Sequence, residues 1–363
     1  MAAALYDPQY GYYARSIKQV GRGGDFFTSV SVGPLFGALL ARRLLRAWQD
    51  AGAPDRWRII ECGAHDGRLA ADVLDALAVL EPRAFSVLEY VIPEPLPALQ
   101  AAQRHTLSRH QDRVRLVSDL RAIADHPLPG VAFGNELLDA LPFHLVERRG
   151  GQWLECWVVL AQDGGLGWQT RPIHEPALLT ALVPIGDDFP DGYRTEVRTC
   201  FPALLAGLAR CLQTGLMVWL DYGFARPDYY HPDRTAGTLR TFASHRAGVD
   251  PLDRPGQTDI TAHVDFTAVA EAALALGGQA TVFCNQGSWL IATARDWLLE
   301  QEGQPRPAVL RQFQTLTHPA HLGGRFHVLE LSWDPVAAPP DAAMLEHRLC
   351  CTAPAAACQF DCC

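Results

Sequence analysis

The fold of this chain is decided by the stretch Arg58-Ile59-Ile60-Glu61-Cys62-Gly63-Ala64-His65-Asp66-Gly67-Arg68-Leu69. A short apolar run ends in an acid, a turn with two glycines follows, and apolar residues then recur at helical spacing. This pattern predicts a strand, a tight turn and a helix. In open α/β sheets, a turn at the carboxyl end of the first strand is a ligand site. Gly63 and Gly67 let the backbone turn sharply and approach a ligand closely.

The residues of this turn limit which ligand it can take. The glycine spacing is not G-x-G-x-x-G, so a cradle for a pyrophosphate is not indicated. Glu61 would repel a phosphate and suits a cofactor that carries hydroxyls, amines or a positive charge. We therefore predict S-adenosylmethionine as the cofactor, bound by Glu61, Gly63 and Gly67. A plain connection between a strand and a helix is the alternative.

The composition limits the class of protein. With 363 residues, 48% of them hydrophobic, the chain can form one large domain or two small ones. A net charge of −9 without a long basic run argues against nucleic-acid binding, though not against a basic peptide substrate. No apolar run reaches the ~18 residues that span a bilayer, and the start resembles neither a signal peptide nor a transit peptide. We therefore expect no membrane partner and a cytoplasmic location.

Acids follow two further predicted strands. Glu94 ends the strand that starts at Phe85, and in doubly wound folds such an acid hydrogen-bonds ribose hydroxyls. A solvated carboxylate is the alternative. Asp119 follows the third strand, 114–117, where it could read an adenine amine, although Ser118 or Asp119 could equally cap a helix. Glu94 and Asp119 are both predicted to bind the cofactor.

The fourth predicted strand, 130–134, runs into Asn135, Glu136 and Asp139. The carboxyl ends of parallel strands meet at one sheet edge, so these side chains should lie beside the turn at Gly63. Three polar residues inside an apolar sequence are poorly explained by packing. This edge is the predicted site of substrate chemistry, with Asn135 close to the cofactor.

Periodicity and turn residues predict the rest of the chain. The predicted elements are a hairpin at 143–160 with its turn at 149–152, an irregular segment at 161–192, a helix at 193–212, a strand at 215–220 closed by Asp221, a loop at 224–257, a helix from Phe266 to Gly277, strands at 280–284 and 289–293, and a helix at 297–316. The order predicts an α/β fold with a Rossmann-like, mostly parallel sheet and a terminal antiparallel hairpin.

Motifs along the chain resemble the MidA-like family, which comprises mitochondrial complex I assembly methyltransferases and their bacterial relatives. The matching motifs are Leu5-Tyr6-Asp7-Pro8 with Gly11-Tyr12-Tyr13, Gly24-Asp25-Phe26 with Thr28-Ser29, Glu61 with Gly63 and Gly67, Asn135-Glu136 with Asp139-Ala140-Leu141-Pro142, Asp221-Tyr222-Gly223, and Asp259 with Thr261-Ala262-His263-Val264-Asp265-Phe266. The resemblance implies a class I S-adenosylmethionine-dependent methyltransferase fold with an inserted substrate-binding region. For the mitochondrial members it implies arginine methylation on a complex I subunit.

The same resemblance implies how the chain is organised. A single methyltransferase domain would cover residues 1–335, with a tail at 336–363. The implied parts of the domain are an N-terminal cap at 1–50 and insertions at 143–213 and 224–262. Asp25 and Thr28 of the N-terminal motif are placed at the cofactor. Two positions depart from the family: His65 replaces the middle glycine of the turn, and Val30-Ser31 replace the usual Pro-Glu.

We predict methyl transfer to a nitrogen, and the resemblance implies an arginine nitrogen in a protein or peptide. A guanidinium has a pKa above ~12, so its nitrogen must lose a proton as the methyl group arrives. Glu136 and Asp139 are spaced to grip a guanidinium from one side. His263 is the predicted proton acceptor, with Asp221 and Asp265 as further catalytic candidates.

Two other functions are compatible with the sequence. One is a methyltransferase for small molecules, whose pocket would be closed by the 224–257 loop and lined by Tyr229 and Tyr230. The other is a non-catalytic assembly factor that uses the fold to hold a partner. His65 in the glycine turn is the feature that favours it.

The cysteines are unevenly distributed. Five of the ten, in apolar segments, are predicted to be reduced core residues, and five crowd the last fourteen residues at Cys350, Cys351, Cys358, Cys362 and Cys363. Their spacing matches no zinc module, so we predict no metal site there. A reduced exposed tail, a tail with metal or redox chemistry, and a tail that is itself a modified peptide are the three alternatives.

Removal of residues 340–363 should leave the melting temperature and the cofactor affinity unchanged, because no apolar periodic segment there could dock on a core. Thermal unfolding and calorimetric titration of the full and shortened chains measure both quantities. A fall of more than about 4 °C, beyond the shift that ~1 kcal/mol produces in a large domain, would show that the tail is structural. Stoichiometric metal lost on truncation would show the same.

Overall fold

The computed structural model describes residues 1–15, 28–243, 246–248, 250–301 and 306–334. The strands are β1 (Trp57–Cys62), β2 (Leu88–Pro93), β3 (Val114–Val117), β4 (Leu128–Asn135), β5 (His144–Arg149), β6 (Gln152–Leu160), β7 (Leu166–Pro172), β8 (Arg194–Val197), β9 (Leu212–Asp221), β10 (Gly223–Phe224), β11 (Arg240–Ala243), β12 (Arg246–Ala247), β13 (Asp259–Thr261), β14 (Val264–Asp265), β15 (Gly278–Asn285) and β16 (His327–Trp333). The helices are α1 (Ala2–Tyr6), α2 (Tyr12–Arg15), α3 (Ser29–Val32), α4 (Leu35–Asp50), α5 (Arg68–Leu80), α6 (Pro82–Ser86), α7 (Pro97–Thr106), α8 (Arg121–Ala124), α9 (Pro176–Leu182), α10 (Phe201–Ala209), α11 (Arg226–Tyr229), α12 (Phe266–Leu274), α13 (Gln286–Thr293), α14 (Arg295–Glu300) and α15 (Pro307–Thr317).

Seven strands form the central sheet in the order β15-β16-β9-β4-β1-β2-β3. β1 pairs in parallel with β2 and β4, β2 with β3, and β4 with β9. β16 runs antiparallel to both β9 and β15. The carboxyl ends of β1, β2, β4 and β9 and the start of β16 therefore lie at one edge of the sheet. The predicted α/β fold with a mostly parallel sheet is confirmed.

Apolar side chains cover both faces of this sheet. Successive strand residues point to opposite faces, so Ile59 joins the core under α4 and α5 while Ile60 joins the core under α10 and α12. Leu39 of α4 and Phe266 of α12 are fully buried on these two sides. The sheet is thus enclosed by helices, which leaves its edge of strand ends as the place for a ligand.

The terminal pair of strands differs from the prediction. Residues 289–293 lie in helix α13, and the antiparallel partner of β15 is β16. Asn285 caps α13 because its Oδ1 accepts the Ser288 N–H at 2.8 Å. Trp289 and Leu290 are buried against the core. A short apolar run is compatible with a strand or a buried helix, so periodicity alone could not separate the two.

The segment between β4 and β9 forms its own antiparallel sheet, in the order β7-β6-β5-β8. The predicted hairpin is confirmed, with Arg149 paired to Gln152 across the turn. The predicted helix at 193–212 is wrong in its first part, because 194–197 is β8 and α10 begins only at Phe201, with a proline in its first turn. β7 and α9 occupy the segment predicted to be irregular.

Three smaller differences concern element boundaries. Residues 82–86 form α6, so β2 begins at Leu88 instead of Phe85. The 224–257 segment contains α11 and the strands β11 and β12, and β11 pairs with β13. The predicted helix at 297–316 is divided between α14 and α15. None of the helices in the described ranges is both long and apolar enough to cross a membrane.

A bidentate ion pair fastens α4 to β16. Arg43 donates from Nε and Nη2 to the two oxygens of Glu330, at 2.8 and 2.7 Å. The Glu330 side chain is only 3% exposed, and its Oε1 also accepts the indole N–H of Trp289 at 2.8 Å. This carboxylate is therefore buried in a fully paired setting.

Replacement Arg43→Met should lower the free energy of unfolding by about 3–5 kcal/mol, because it leaves the buried Glu330 carboxylate without its cation. Arg46→Met is the matched control on the same helix. Its partner Asp50 is 56% exposed, so the loss should stay below ~1 kcal/mol. Denaturant unfolding of both variants measures the difference, and equal losses would contradict the role of the buried pair.

Candidate active site

The glycine turn lies between β1 and α5. Gly63, His65 and Gly67 all have left-handed φ angles, of 75°, 46° and 82°. Gly63 is exposed, and a Cβ at this position would lie 3.0 Å from Leu137 Cδ1. The turn therefore needs glycine at Gly63 for close packing. His65 adopts the same backbone region despite its side chain.

Glu61 lies at the end of β1, beneath this turn. Its side chain is buried, and Oε2 accepts the hydroxyl of Tyr90 at 2.5 Å. Burial raises the pKa of Glu61 to about 8, against the opposing effect of the Tyr90 hydrogen bond. The structure thus brings Glu61 to the predicted place, where one oxygen is held by β2. Its contact with the cofactor stays a prediction.

Glu94 follows β2 and is oriented by the start of α7. Its Oε1 accepts the Leu96 N–H at 2.8 Å, and its Oε2 accepts Gln103 Nε2 at 3.4 Å. Burial raises the pKa of this carboxyl. Each oxygen keeps a lone pair for a further donor, so the geometry suits a ligand with two neighbouring hydroxyls. The ribose of S-adenosylmethionine fits that requirement.

Asp119 has a different environment. Its exposed carboxylate accepts the Arg121 N–H at 2.8 Å and pairs with the Arg121 guanidinium at 2.8 Å. These contacts with Arg121 hold the pKa of Asp119 below its ordinary value. The carboxylate therefore supports the start of α8, which was the alternative for this residue, and its contact with adenine stays a prediction.

The loop after β4 is held by Asp221 at the end of β9. Oδ2 of Asp221 accepts the N–H groups of residues 137, 138 and 139 at 3.1, 2.7 and 3.2 Å. Its Oδ1 accepts the N–H of Tyr222 at 2.8 Å. Since both oxygens bind the main chain, Asp221 has a structural role in the loop, and its place among the catalytic residues stays a prediction. Burial raises the pKa of Asp221 to about 7.

Glu136 and Asp139 lie on this loop. Glu136 has a left-handed φ of 52°, and its Oε1 accepts Nδ2 of Asn135 at 3.1 Å. Burial and the nearby Asp139 raise the pKa of Glu136 to about 8. Burial also raises the pKa of Asp139 well above its ordinary range, and the carboxyls of Asp221 and Asp259 add to the rise. The two predicted acids therefore share one acidic environment, in which Asp139 is buried and Glu136 is half-buried.

Asn135 has one unsatisfied group. Its Oδ1 is buried and has no hydrogen-bond partner among the described residues. A buried acceptor without a partner is unfavourable, so this oxygen is available to a donor from a ligand. Its predicted place at the cofactor is compatible with this geometry and stays a prediction.

Arg198 is a site residue that the sequence did not reveal. Its buried guanidinium donates to the main-chain oxygens of residues 139, 141, 262 and 263, at 2.6, 3.2, 2.7 and 2.6 Å. It therefore joins the loop of Asp139 to the segment of His263. Its positive charge also opposes the rise in the pKa of Asp139. No local motif marks this arginine, because its four acceptors come from two distant segments.

His263 lies against an aromatic wall. Its ring is stacked on Tyr222, with centroids 6.3 Å apart, and packs edge-on against Phe224 at 5.3 Å. Burial and nearby arginines, Arg234 first, lower the pKa of His263 to about 4. Its Nδ1 is buried without a partner in the described ranges. The lowered pKa keeps this imidazole neutral but also makes it a weaker base than a free histidine, and its role as the proton acceptor stays a prediction.

Asp265 is the N-cap of α12. Its Oδ1 accepts the N–H groups of Thr267 and Ala268 at 3.0 and 3.2 Å, and Oδ2 lies 3.4 Å from Arg226 Nε. Burial raises the pKa of Asp265 to about 6. Asp265 thus has a structural role as a helix cap, and its place among the catalytic residues stays a prediction. An acid directly before a predicted helix is a recognisable N-cap signal, and it could have indicated the capping role of Asp265 from the sequence.

The N-terminal segment contributes to the same edge. Thr28 caps α3 through a reciprocal pair of hydrogen bonds with Ser31, so its side chain serves the helix and its cofactor contact stays a prediction. The Ser29 N–H hydrogen-bonds the Glu136 carboxyl and opposes the rise in its pKa. Tyr6 donates to the Ala140 carbonyl at 2.7 Å. Asp25 lies outside the described residues.

Replacement Glu94→Ala should weaken S-adenosylhomocysteine binding by about 2–3 kcal/mol, the value of lost charge-assisted hydrogen bonds. Asp50→Ala is the control, at an exposed acid that ends α4, and its change should stay below ~0.5 kcal/mol. Isothermal titration measures both, and an unchanged dissociation constant for Glu94→Ala would show that another group binds the ribose.

Comparisons with known proteins show the family to which the chain belongs. A family model described as an S-adenosyl-L-methionine-dependent methyltransferase matches residues 39–284. The Drosophila melanogaster protein named protein arginine methyltransferase NDUFAF7 homolog, mitochondrial, is 30% identical over 364 residues, which cover 91% of this chain and 80% of that protein. The Homo sapiens protein arginine methyltransferase NDUFAF7, mitochondrial, is 27% identical, over 91% of this chain and 78% of that protein.

A solved structure shows the cofactor product in a related fold. The Burkholderia thailandensis protein crystallised with S-adenosyl-homocysteine is 34% identical and superposes with a TM-score of 0.81. The match covers 93% of this chain and 87% of that one. With the family match, this similarity shows that the chain is an enzyme that uses S-adenosylmethionine. The chain belongs to the MidA-like family of S-adenosylmethionine-dependent methyltransferases.

Proposed function

We propose that this methyltransferase transfers its methyl group to a guanidinium nitrogen of arginine in a protein or peptide. The proposal is carried by one observation: Glu136 and Asp139 lie on one loop, and the Arg198 guanidinium joins the main chain of Asp139 to that of His263. Relatives named protein arginine methyltransferases, aligned over 91% of this chain, support the same acceptor.

The two carboxyls would bind and orient the substrate. An arginine fork presents several N–H donors in one plane, and carboxylates match that geometry bidentately. The two acids share one environment, since the charge of Asp139 raises the pKa of Glu136 and the charge of Glu136 raises the pKa of the neighbouring Asp221. A guanidinium that enters would stabilise their charged forms and displace the protons that burial retains there.

The proton of the reacting nitrogen also needs an acceptor. The nitrogen loses a proton as it forms its bond to carbon, and His263 is neutral over the physiological range. Tyr222 connects the two groups, because its ring stacks on His263 and its pKa is raised by burial and by the charges of Glu136 and Asp139. We therefore assign the proton to Nδ1 of His263.

The cofactor site is formed by this chain's turn and strand ends. S-adenosylmethionine supplies a methyl group on a sulfonium, and its carbon–sulfur bond breaks as the new carbon–nitrogen bond forms. We assign the ribose to Glu94, which the remaining lone pairs of its carboxyl support, and the turn at Gly63 allows close approach of the backbone. Asn135 offers a buried acceptor between the turn and the acidic loop.

The two other functions lose part of their support. Tyr229 and Tyr230 are buried, and Tyr229 contacts Glu196 instead of lining an open pocket. His65 adopts the left-handed conformation of the turn, so its side chain does not by itself prevent cofactor binding. Labelled S-adenosylmethionine with cell lysate separates the functions. Label in methylarginine of protein supports the proposal, whereas label only in small metabolites, or no transfer, would overturn it.

The animal relatives are named as mitochondrial proteins. The cytoplasmic location expected from the sequence stays a prediction. The expected absence of nucleic-acid and membrane partners also stays a prediction. The partner that we propose is the arginine-bearing protein or peptide itself.

Replacements Glu136→Gln and Asp139→Asn should each reduce turnover by at least ~100-fold, because both carboxylates act on the substrate. Affinity for S-adenosylhomocysteine should stay within about threefold, less than ~0.7 kcal/mol. Turnover and calorimetric binding are measured together, with Asp50→Asn, an exposed acid on α4, as the control. A variant that loses cofactor binding at an unchanged melting temperature would belong to the cofactor site.

The affinity for an arginine peptide should rise with pH between about 6 and 9, since a carboxyl must be charged to bind a cation. The pKa of Glu136 is raised to about 8 in the free enzyme, so its charged form becomes dominant only above that pH. The peptide's guanidinium does not titrate in this range. KM for the peptide against pH tests this; Glu136→Gln should flatten the profile, and an equally steep profile in that variant would contradict the assignment.

A further inference from the structure

One buried amide joins the two parts of the cofactor site. Gln103 of α7 is fully buried. Its Nε2 donates to the main-chain oxygen of His65 at 2.9 Å and to Oε2 of Glu94 at 3.4 Å. His65 belongs to the turn after β1, and Glu94 ends β2. No motif in the sequence connects Gln103 with either element.

The contacts of Gln103 fix the direction of its amide. Both neighbours, a carbonyl and a carboxyl, are acceptors, so the NH₂ group must face them. Oε1 is then buried and has no partner among the described residues. An unsatisfied buried acceptor is unfavourable. The side chain therefore makes its two donor contacts through Nε2 while Oε1 is left without a hydrogen bond.

The contact with His65 occurs where the backbone is least favourable. His65 has a φ of 46°, a region that a residue with a Cβ adopts at a free-energy cost. Glycine adopts this region without that cost. A hydrogen bond to the His65 carbonyl stabilises the orientation of the peptide group that follows, so it favours the left-handed conformation of the turn.

We propose that Gln103 is a positioning residue for S-adenosylmethionine. It holds the left-handed peptide at His65 and the carboxylate of Glu94 in the arrangement that the cofactor binds. The hydrogen bond to the turn is needed because position 65 carries a side chain. With glycine at this position, the turn would depend much less on Gln103.

A double-mutant cycle tests this role with S-adenosylhomocysteine as the probe, so the result is independent of the methyl acceptor. Gln103→Met keeps a long unbranched side chain without the donor. It should weaken binding about tenfold in the natural chain. In the His65→Gly background the same replacement should cost about threefold or less, because glycine adopts the left-handed conformation without the hydrogen bond to the carbonyl of residue 65, which leaves mainly the lost contact with Glu94.

Gln100→Leu is the matched control on the same helix. Gln100 Nε2 donates to the main-chain oxygen of Glu94 at 2.7 Å and contacts neither the His65 carbonyl nor the Glu94 carboxyl. Its replacement should leave binding within about twofold. A tenfold loss in the control would assign the effect to general packing of α7 and overturn the proposal.

Gln103→Glu provides a second variant if the methionine variant does not fold. At high pH its carboxylate would face two acceptors and weaken binding; at low pH the protonated group can donate again. The loss relative to the natural chain should therefore shrink as pH falls. Binding within about twofold of the natural chain for Gln103→Met, the same loss in both backgrounds, or a pH-independent loss for Gln103→Glu would each overturn the proposal.

Discussion

The site depends on the carboxylate of Asp221. One of its oxygens binds three consecutive main-chain N–H groups of the loop after β4, and the other binds the N–H that follows β9. Buried N–H groups without acceptors would be strongly unfavourable. The acid therefore fixes the path of the chain at the point where β4 and β9 end side by side. Glu136 and Asp139 are held in place by that path.

Arg198, which carries the opposite charge, binds main-chain oxygens of the same loop. Asp221 satisfies the donors of the loop, and Arg198 satisfies the acceptors of residues 139 and 141 together with those of 262 and 263. A buried charge is tolerated when hydrogen bonds surround it. The two charged side chains thus act on the backbone and fix the loop that carries Glu136 and Asp139. Carboxyls on a fixed loop are what recognition of a fork-shaped cation requires.

The sequence predicted the fold and the edge where the site lies, because strand-end acids and glycine turns follow a general rule for parallel sheets. Glu94, Glu136 and Asp139 all lie where that rule placed them. Roles were harder to predict than places. Asp221 and Asp265 look like catalytic acids in sequence, yet their carboxylates bind main-chain groups. Arg198 and Gln103 were missed because their partners are distant in the chain and no local pattern marks such contacts. The helix α13 was missed because a short apolar run has no distinctive period.

The raised pKa values of the acids determine which cations the empty site attracts. Glu136, Asp139 and Asp221 would suggest a strongly negative pocket, but burial raises the pKa of all three carboxyls, so the pocket carries less negative charge near neutral pH than three acids would otherwise give it. Sodium or potassium binds through charge alone, so partly protonated carboxyls attract these ions only weakly. A flat ligand with several N–H donors gains hydrogen bonds as well as charge, so it can release the retained protons. The site should therefore remain free of simple salts and discriminate by the shape of the cation, so that a guanidinium is favoured over an ammonium.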